Sequence, residues 1–152
     1  MANNKIQKLF KKRVQGTVAY AIIVNETVTA GMLPAAVAEV MAESNRKIYM
    51  TSRVIKHLYD KKPAEEFDFV LINIPGIIAR PDYLYRNKGD KRGQFCLMKR
   101  IEDREYFISL EVINSVYGKE TQIATAFRVR SKPYLEEHDL SWSRRDGETH
   151  SS

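Results

Sequence analysis

Four side chains would combine acid–base and anion-binding chemistry if the fold brought them together: His57, Glu111, Arg128 and Arg130. The two arginines end the stretch IATAFRVR at 123–130, where Ile123, Thr125, Phe127 and Val129 alternate with Ala124, Ala126, Arg128 and Arg130. Alternation at period two predicts a half-buried strand. One face is apolar, with the Thr125 hydroxyl in need of a partner if it points inward. The other holds two guanidiniums above two alanines, a shallow floor that suits an anion such as a phosphate. In REYFISLEVI, Tyr106, Ile108, Leu110 and Val112 share one face; Phe107, Ser109 and Glu111 share the other. Aligning the apolar faces of the two strands sets Glu111 beside Arg128 and Arg130. A carboxylate there is a candidate general base next to phosphate-binding cations. An ordinary cross-strand ion pair, which contributes little, is the structural alternative.

His57 lies in SRVIKHLYDKK, at the edge of the apolar stripe that Val54 and Leu58 begin. Imidazole chemistry suits a proton shuttle, although a boundary residue needs no such role. KGDKRG at 88–93 is not a phosphate-cradling P-loop, because its lysine spacing is wrong and it precedes a strand rather than a helix. It reads as a basic loop, with Arg86, Lys88, Lys91 and Arg92 as candidate contacts to backbone phosphates alongside Arg130. Trp142 is the single tryptophan and a candidate packing anchor.

The elements that must position these residues follow from composition and punctuation. The chain has 152 residues, 43% of them hydrophobic, which suits one domain with one core. Lys and Arg number 25 against 19 Asp and Glu, for a net charge of +6, and the pI is near 9.4. Such a balance favours an anionic partner. The excess is clustered: Lys5, Lys8, Lys11, Lys12 and Arg13 occur in the first sixteen residues with no acid, and residues 80–100 are again basic. Cys96 is the only cysteine, so an intramolecular disulfide and a cysteine-based zinc site are excluded. His57, His138 and His150 lack ligand-like spacing. We expect no cofactor or metal, and a reducing, cytoplasmic setting. No apolar run approaches a membrane span; VAYAIIV at 18–24 reads as a strand rather than a signal sequence.

Residues 1–13 are expected to form a frayed basic helix, Pro34 to open a helix through PAAVAEVMAES, and KIYM at 47–50 to form a strand. Thr51 or Ser52 caps the helix of TSRVIKHLYDKK. AEEFDFVLIN forms a short helix, IPGIIARPD a separate turn of helix, and YRNKGDKRG a loop. QFCLMKRI, REYFISLEVI and TQIATAFRVR are strand-like, and their short polar connections imply antiparallel hairpins. PYLEEH suggests a final helical turn, LSWS an edge segment, and RRDGETHSS a loose tail. The expected fold is α+β, with N-terminal helices packed on one face of a C-terminal antiparallel sheet. It is a single domain with a basic arm, strand and helix over 1–45, a core over 46–142 and a flexible tail over 143–152.

The order SRVIKHLYDKK, IPGIIARPDYLYRN, then strands ending in IATAF with YL soon after, resembles the phage-type nucleases grouped with barnase, EndoU, the colicin nuclease domains and RelE. The resemblance spans about residues 50–142, and its most specific part is IIARPDYLY with TAF downstream of a histidine. It implies a barnase/RelE-like fold and metal-independent RNA cleavage in a phage, mobile-element or toxin context. It adds functional weight to His57, Thr125 and the arginine strand; Glu111 rests on the strand-face argument alone. The expected function is therefore endoribonuclease action by attack of the 2′-hydroxyl, with RNA as substrate and catalytic residues His57, Glu111, Thr125 and Arg128. An acidic inhibitor or immunity protein is a possible partner. The alternatives are a non-catalytic nucleic-acid-binding module and an interaction protein of a mobile element.

Overall fold

A computed structural model describes residues 4–43, 45–87, 94–116, 118–129, 138–144 and 148–149. The basic N-terminus is a defined helix, α1 (Lys5–Arg13), because its first turn is closed. The Asn4 side chain accepts from Gln7 N at 2.8 Å, and Gln7 Oε1 accepts from Asn4 N at 2.9 Å, a reciprocal capping box. Ile6 and Leu9 turn inward, and the lysines suit the negative end of the helix dipole.

VAYAIIV is not a strand. Residues 17–24 are extended or turning, with Val18, Tyr20, Ile22 and Val24 exposed and no ladder partner among the described residues. Alternation alone does not make a strand when no neighbouring backbone takes up its N–H and C=O groups. The first strand, β1 (Thr27–Met32), begins after Glu26. Pro34 precedes the short helix α2 (Ala35–Val40), which leads to β2 (Lys47–Thr51). Thr51 Oγ1 accepts from Val54 N at 3.3 Å and caps α3 (Ser52–Lys61), as its residue type predicts.

The two short helices expected over 64–80 are one, α4 (Ala64–Ala79), which runs through Pro75. Proline lacks the N–H that would bond the carbonyl four residues back. That carbonyl, Leu71 O, instead accepts from Asn4 Nδ2 at 3.1 Å, so the side chain that caps α1 also completes α4. Gly31 of β1 admits α4 closely; a Cβ there would stand 3.2 Å from Ile78 Cγ2.

The sequence from Tyr83 onward is strand-rich: β3 (Tyr83–Asn87), β4 (Phe95–Ile101), β5 (Arg104–Ser115), β6 (Gly118–Arg128), β7 (His138–Ser143) and the two-residue β8 (Glu148–Thr149). Residues 85–87, expected to begin a loop, thus belong to the sheet, and the remainder of that loop lies outside the described residues. So do the PYLEEH residues 133–137. Glu148–Thr149, in the expected tail, pairs with β7. The sheet order is β1-β2-β6-β5-β4-β3-β7-β8. β4, β5 and β6 form the anticipated antiparallel meander, while β2 joins β6 in parallel. The fold is α+β with a mostly antiparallel sheet. No helix among the described residues is long and apolar enough to cross a membrane.

Two apolar clusters define the sheet faces. The larger contains buried residues from α1, α2, α3 and α4 together with Leu84, Leu97, Tyr106, Ile108, Leu110, Ile123, Ala126 and Trp142. The smaller contains Cys96, Met98 and Phe107, flanked by Tyr83, Tyr85, Phe127 and Val129. Neighbours along β3, β4 and the start of β5 alternate between the clusters, as the pleat requires.

Candidate active site

The strand 123–130 does not keep one uninterrupted alternation. Ser109 lies opposite Thr125, but Leu110 lies opposite Ile123, so Ala124 is an extra residue in β6. Such a bulge re-aims the side chains beyond it. Ile123 therefore joins the larger cluster, whereas Phe127 and Val129 flank the smaller one. Thr125 is half-buried opposite Ser109 and does not point into the core with Ile123.

Arg128 pairs with Tyr106, and Glu111 pairs with Gln122. Tyr106 and Glu111 stand five positions apart in β5, about 17 Å at 3.4 Å per residue. They also lie on opposite faces, since odd and even positions of β5 separate. The expected Glu111–Arg128 juxtaposition is not formed.

His57 is exposed on α3, in a stripe with Arg53 and Lys61, while Val54, Ile55 and Leu58 are buried. Arg86 is exposed, with its guanidinium 5.2 Å from the centroid of the Phe95 ring. Lys88, Lys91, Arg92 and Arg130 lie outside the described residues. The sequence-selected groups are thus spread over α3, both faces of the sheet and its ends.

Two clefts gather charge instead. The first, about 600 Å³, is lined by Asp82, Tyr83, Met98, Arg100, Glu105 and Arg144. It opens where the β4–β5 hairpin meets β3, on the sheet face that carries Tyr83 and Met98. Arg100 and Glu105 are directly opposite each other in the hairpin. Asp82 organises the mouth: its Oδ2 accepts from Arg100 N at 2.8 Å, and its carbonyl accepts from Arg144 N at 2.9 Å. Its Oδ1 is 2.9 Å from Arg144 Nη2, a contact that is ionic rather than a well-aligned hydrogen bond. Among the described residues, the Arg100 guanidinium makes only a 3.5 Å contact to the exposed Asp103. Tyr85, whose ring centroid is 6.1 Å from that of Tyr83, has its pKa pushed up to about 12 by burial, with Tyr83 and Glu105 adding to the effect. The turn beside it places Glu102 and Asp103 at φ +50 and +65°, left-handed geometry for two residues with side chains.

The second cleft, about 540 Å³, is lined by Pro63, Glu65, Glu66, Phe69, Glu102, Arg104, Tyr106 and Arg128. Arg128 enters it from the larger-cluster side of β6, and its Nε is buried without a hydrogen-bond partner among the described residues. Three carboxylates oppose two guanidiniums here, a balance that disfavours an anion. In the first cleft two carboxylates face two guanidiniums, and Asp82 is already engaged by Arg144. His57 and Glu111 line neither cleft. Among the described residues no group of three His, Cys, Asp or Glu side chains is arranged to hold a metal ion.

Sequence reasoning missed the first cleft because Asp82, Arg100, Glu105 and Arg144 come from three distant segments. Its one trace in the sequence is the stretch 102–111, where Glu102, Asp103, Glu105 and Glu111 outnumber Arg104, after the basic run 80–100. No curated protein and no solved structure matches the chain at a significant level. Residues 29–133 match the family described as phage-Barnase-EndoU-ColicinE5/D-RelE like nuclease3, and the chain belongs to that family.

Proposed function

We propose that the protein is a metal-independent endoribonuclease whose active site is the cleft between Glu105, Arg100 and Arg144. The family is one of nucleases, and nucleic acid is the substrate class its name implies. The observation that carries the placement is Glu105 directly opposite Arg100, with Arg144 held across the cleft by Asp82. In this reading the helices pack on one sheet face and leave the Tyr83–Met98 face to the substrate.

Glu105 removes the proton of a ribose 2′-hydroxyl, whose oxygen then attacks the adjacent phosphorus. The bond to the 5′-oxygen breaks, that oxygen takes a proton from solvent, and a 2′,3′-cyclic phosphate remains. Arg100 and Arg144 stabilise the extra charge of the phosphorane, the role that a metal ion would otherwise fill. Tyr83 offers a ring on which a base can stack. Asp82 is a positioning residue that acts through Arg144.

The test is a labelled RNA oligonucleotide incubated with protein in EDTA, beside its 2′-deoxy counterpart. RNA cleavage leaving cyclic phosphate ends, with the deoxy strand intact, is expected. Glu105→Gln and Arg144→Ala should each lower the cleavage rate about a hundredfold or more with the fold retained. Cleavage of the deoxy strand, or dependence on added magnesium, overturns the mechanism; RNA retention without cleavage favours a binding module. The Nε of Arg128, buried with no hydrogen-bond partner among the described residues, supports a rival placement in the second cleft. If Arg128→Ala abolishes cleavage and Arg100→Ala does not, that placement replaces the first.

A further inference from the structure

We propose that residues 18–24 form a preorganised docking strap for an acidic protein partner. The proposal does not rest on the nuclease reading. Val18 and Tyr20 are each 76% exposed, Ile22 is 100% exposed and Val24 is 59% exposed. Apolar side chains this exposed usually sit singly; four within seven residues make a patch.

The strap is fixed rather than loose. Lys56 Nζ donates to Val18 O at 2.6 Å and to Asp60 Oδ1 at 2.7 Å. Tyr20 N donates to Asp60 Oδ2 at 3.1 Å, and Lys61 Nζ donates to the Tyr20 hydroxyl at 3.1 Å. Ser52 Oγ donates to Val24 O at 2.7 Å and accepts from Glu26 N at 2.8 Å. The Lys56–Asp60 pair is buried, and Tyr20 is held at φ +62°, a strained left-handed geometry. Their combined effect is to hold an apolar backbone strap outward in one conformation. A surface already ordered loses little entropy when it is covered.

Charge selects the occupant. The exposed cations Arg53 and Lys61 lie along α3, the helix to which the strap is tied, and α1 presents Lys5, Lys8, Lys11 and Lys12. Through residue 26 the only acid is Glu26, and it is engaged by Lys12 and Arg13. A second copy would set these cations against their like, whereas an apolar surface rimmed by carboxylates would be complementary. An anionic lipid surface is disfavoured because the strap is short and extended and carries one aromatic ring, unlike the longer amphipathic helices that lie in membrane interfaces. The strap lines neither cleft and precedes the family region, which begins at residue 29.

The probe is a display library built on a small acidic helical scaffold, selected against the whole protein. Selected binders should lose at least tenfold affinity with Ile22→Ser and with Arg53→Glu. They should retain it with Arg144→Ala, and cleavage of the RNA oligonucleotide by Ile22→Ser should be unchanged. Ile22 is fully exposed, so its variant keeps the thermal midpoint, which confirms that lost binding is not lost folding. Binders that converge elsewhere overturn the proposal. A wild-type dimer dissociated by Ile22→Ser would assign the strap to a second copy instead. Cosedimentation with 3:1 phosphatidylcholine–phosphatidylglycerol vesicles, abolished by that variant, would assign it to a membrane.

Discussion

Asn4 links two helices through three polar contacts, and the two made by its side chain can be tested apart. Alanine removes the α1 cap and leaves Leu71 O without its side-chain donor, so Asn4→Ala should cost about 2 kcal/mol in denaturant unfolding. Serine retains a capping oxygen but is too short to replace the amide donor; Asn4→Ser should lose only the second part. Equal losses for both variants would show that the contact to Leu71 contributes nothing. Tyr85 gives a second residue-level test. Its folded pKa is pushed up to about 12 against the ordinary value of 10.0. The unfolded chain therefore releases this proton first, and the contribution of Tyr85 to stability, intact below pH 10, falls as pH rises toward 12. In the native protein Tyr85 should titrate after the more exposed tyrosines in ultraviolet absorbance, and Tyr85→Phe should remove that last component. At this scale the sequence was a poor guide to the site. Arg128 and Glu111 were sound candidates by residue type, but their meeting depended on a register that the bulge at Ala124 changed, and one residue of slip moves a side chain to the other face.

Elements were more legible where local chemistry and tertiary partners agreed. Thr51 announced α3, and the short polar links announced the β4–β5–β6 meander. The resemblance carried by the histidine-bearing helix, IIARPDYLY and TAF is borne out by the family match over 29–133. Errors came where a distant group decided the outcome. Pro75 signalled a break, but Asn4, 71 positions away, supplies the donor that lets α4 continue. Residues 18–24 have strand composition, but α3 side chains take up much of their polar backbone. The β4–β5 turn is the converse case, with unfavourable residues in a well-defined hairpin. Glu102 and Asp103 both occupy left-handed geometry, which an Asn-Gly pair adopts with less strain. Replacing Glu102 by Asn together with Asp103 by Gly should raise stability by about 1 kcal/mol, read as a higher thermal midpoint. A lower midpoint would mean that the two native side chains stabilise the turn by more than its strain costs. Because Arg100 and Glu105 flank this turn, cleavage should be measured on the same variant. Loss of activity with gained stability would assign the strain to the site.

For the whole molecule, acid should separate the strap from the family core. The Glu26 carboxyl is held below its ordinary value of 4.5, first by the Lys12 hydrogen bond and then by that from Arg13. The Asp60 carboxyl is held below 3.8, first by its hydrogen bond from Lys56. Both groups bind a proton less readily in the folded chain. Their stabilisation is therefore complete above those ordinary values and is lost as pH falls through the depressed folded ones. Both carboxylates tie the segment between α1 and β1: Glu26 to α1, and Asp60 to the strap directly and through Lys56. The central meander is joined instead by backbone ladders and by apolar side chains such as Leu97, Phe107 and Ile108, which do not titrate in this range. Acidification from pH 6 toward pH 3 should thus expose residues 15–26 before the sheet opens. Hydrogen exchange should show early loss of protection at Tyr20 and Glu26, with protection persisting at Leu97, Phe107 and Ile108. Asp60→Asn should bring the early step to higher pH while leaving sheet exchange unchanged. If strap and sheet amides lose protection together at every pH, the two ion pairs belong to one cooperative unit and the strap has no separate acid response.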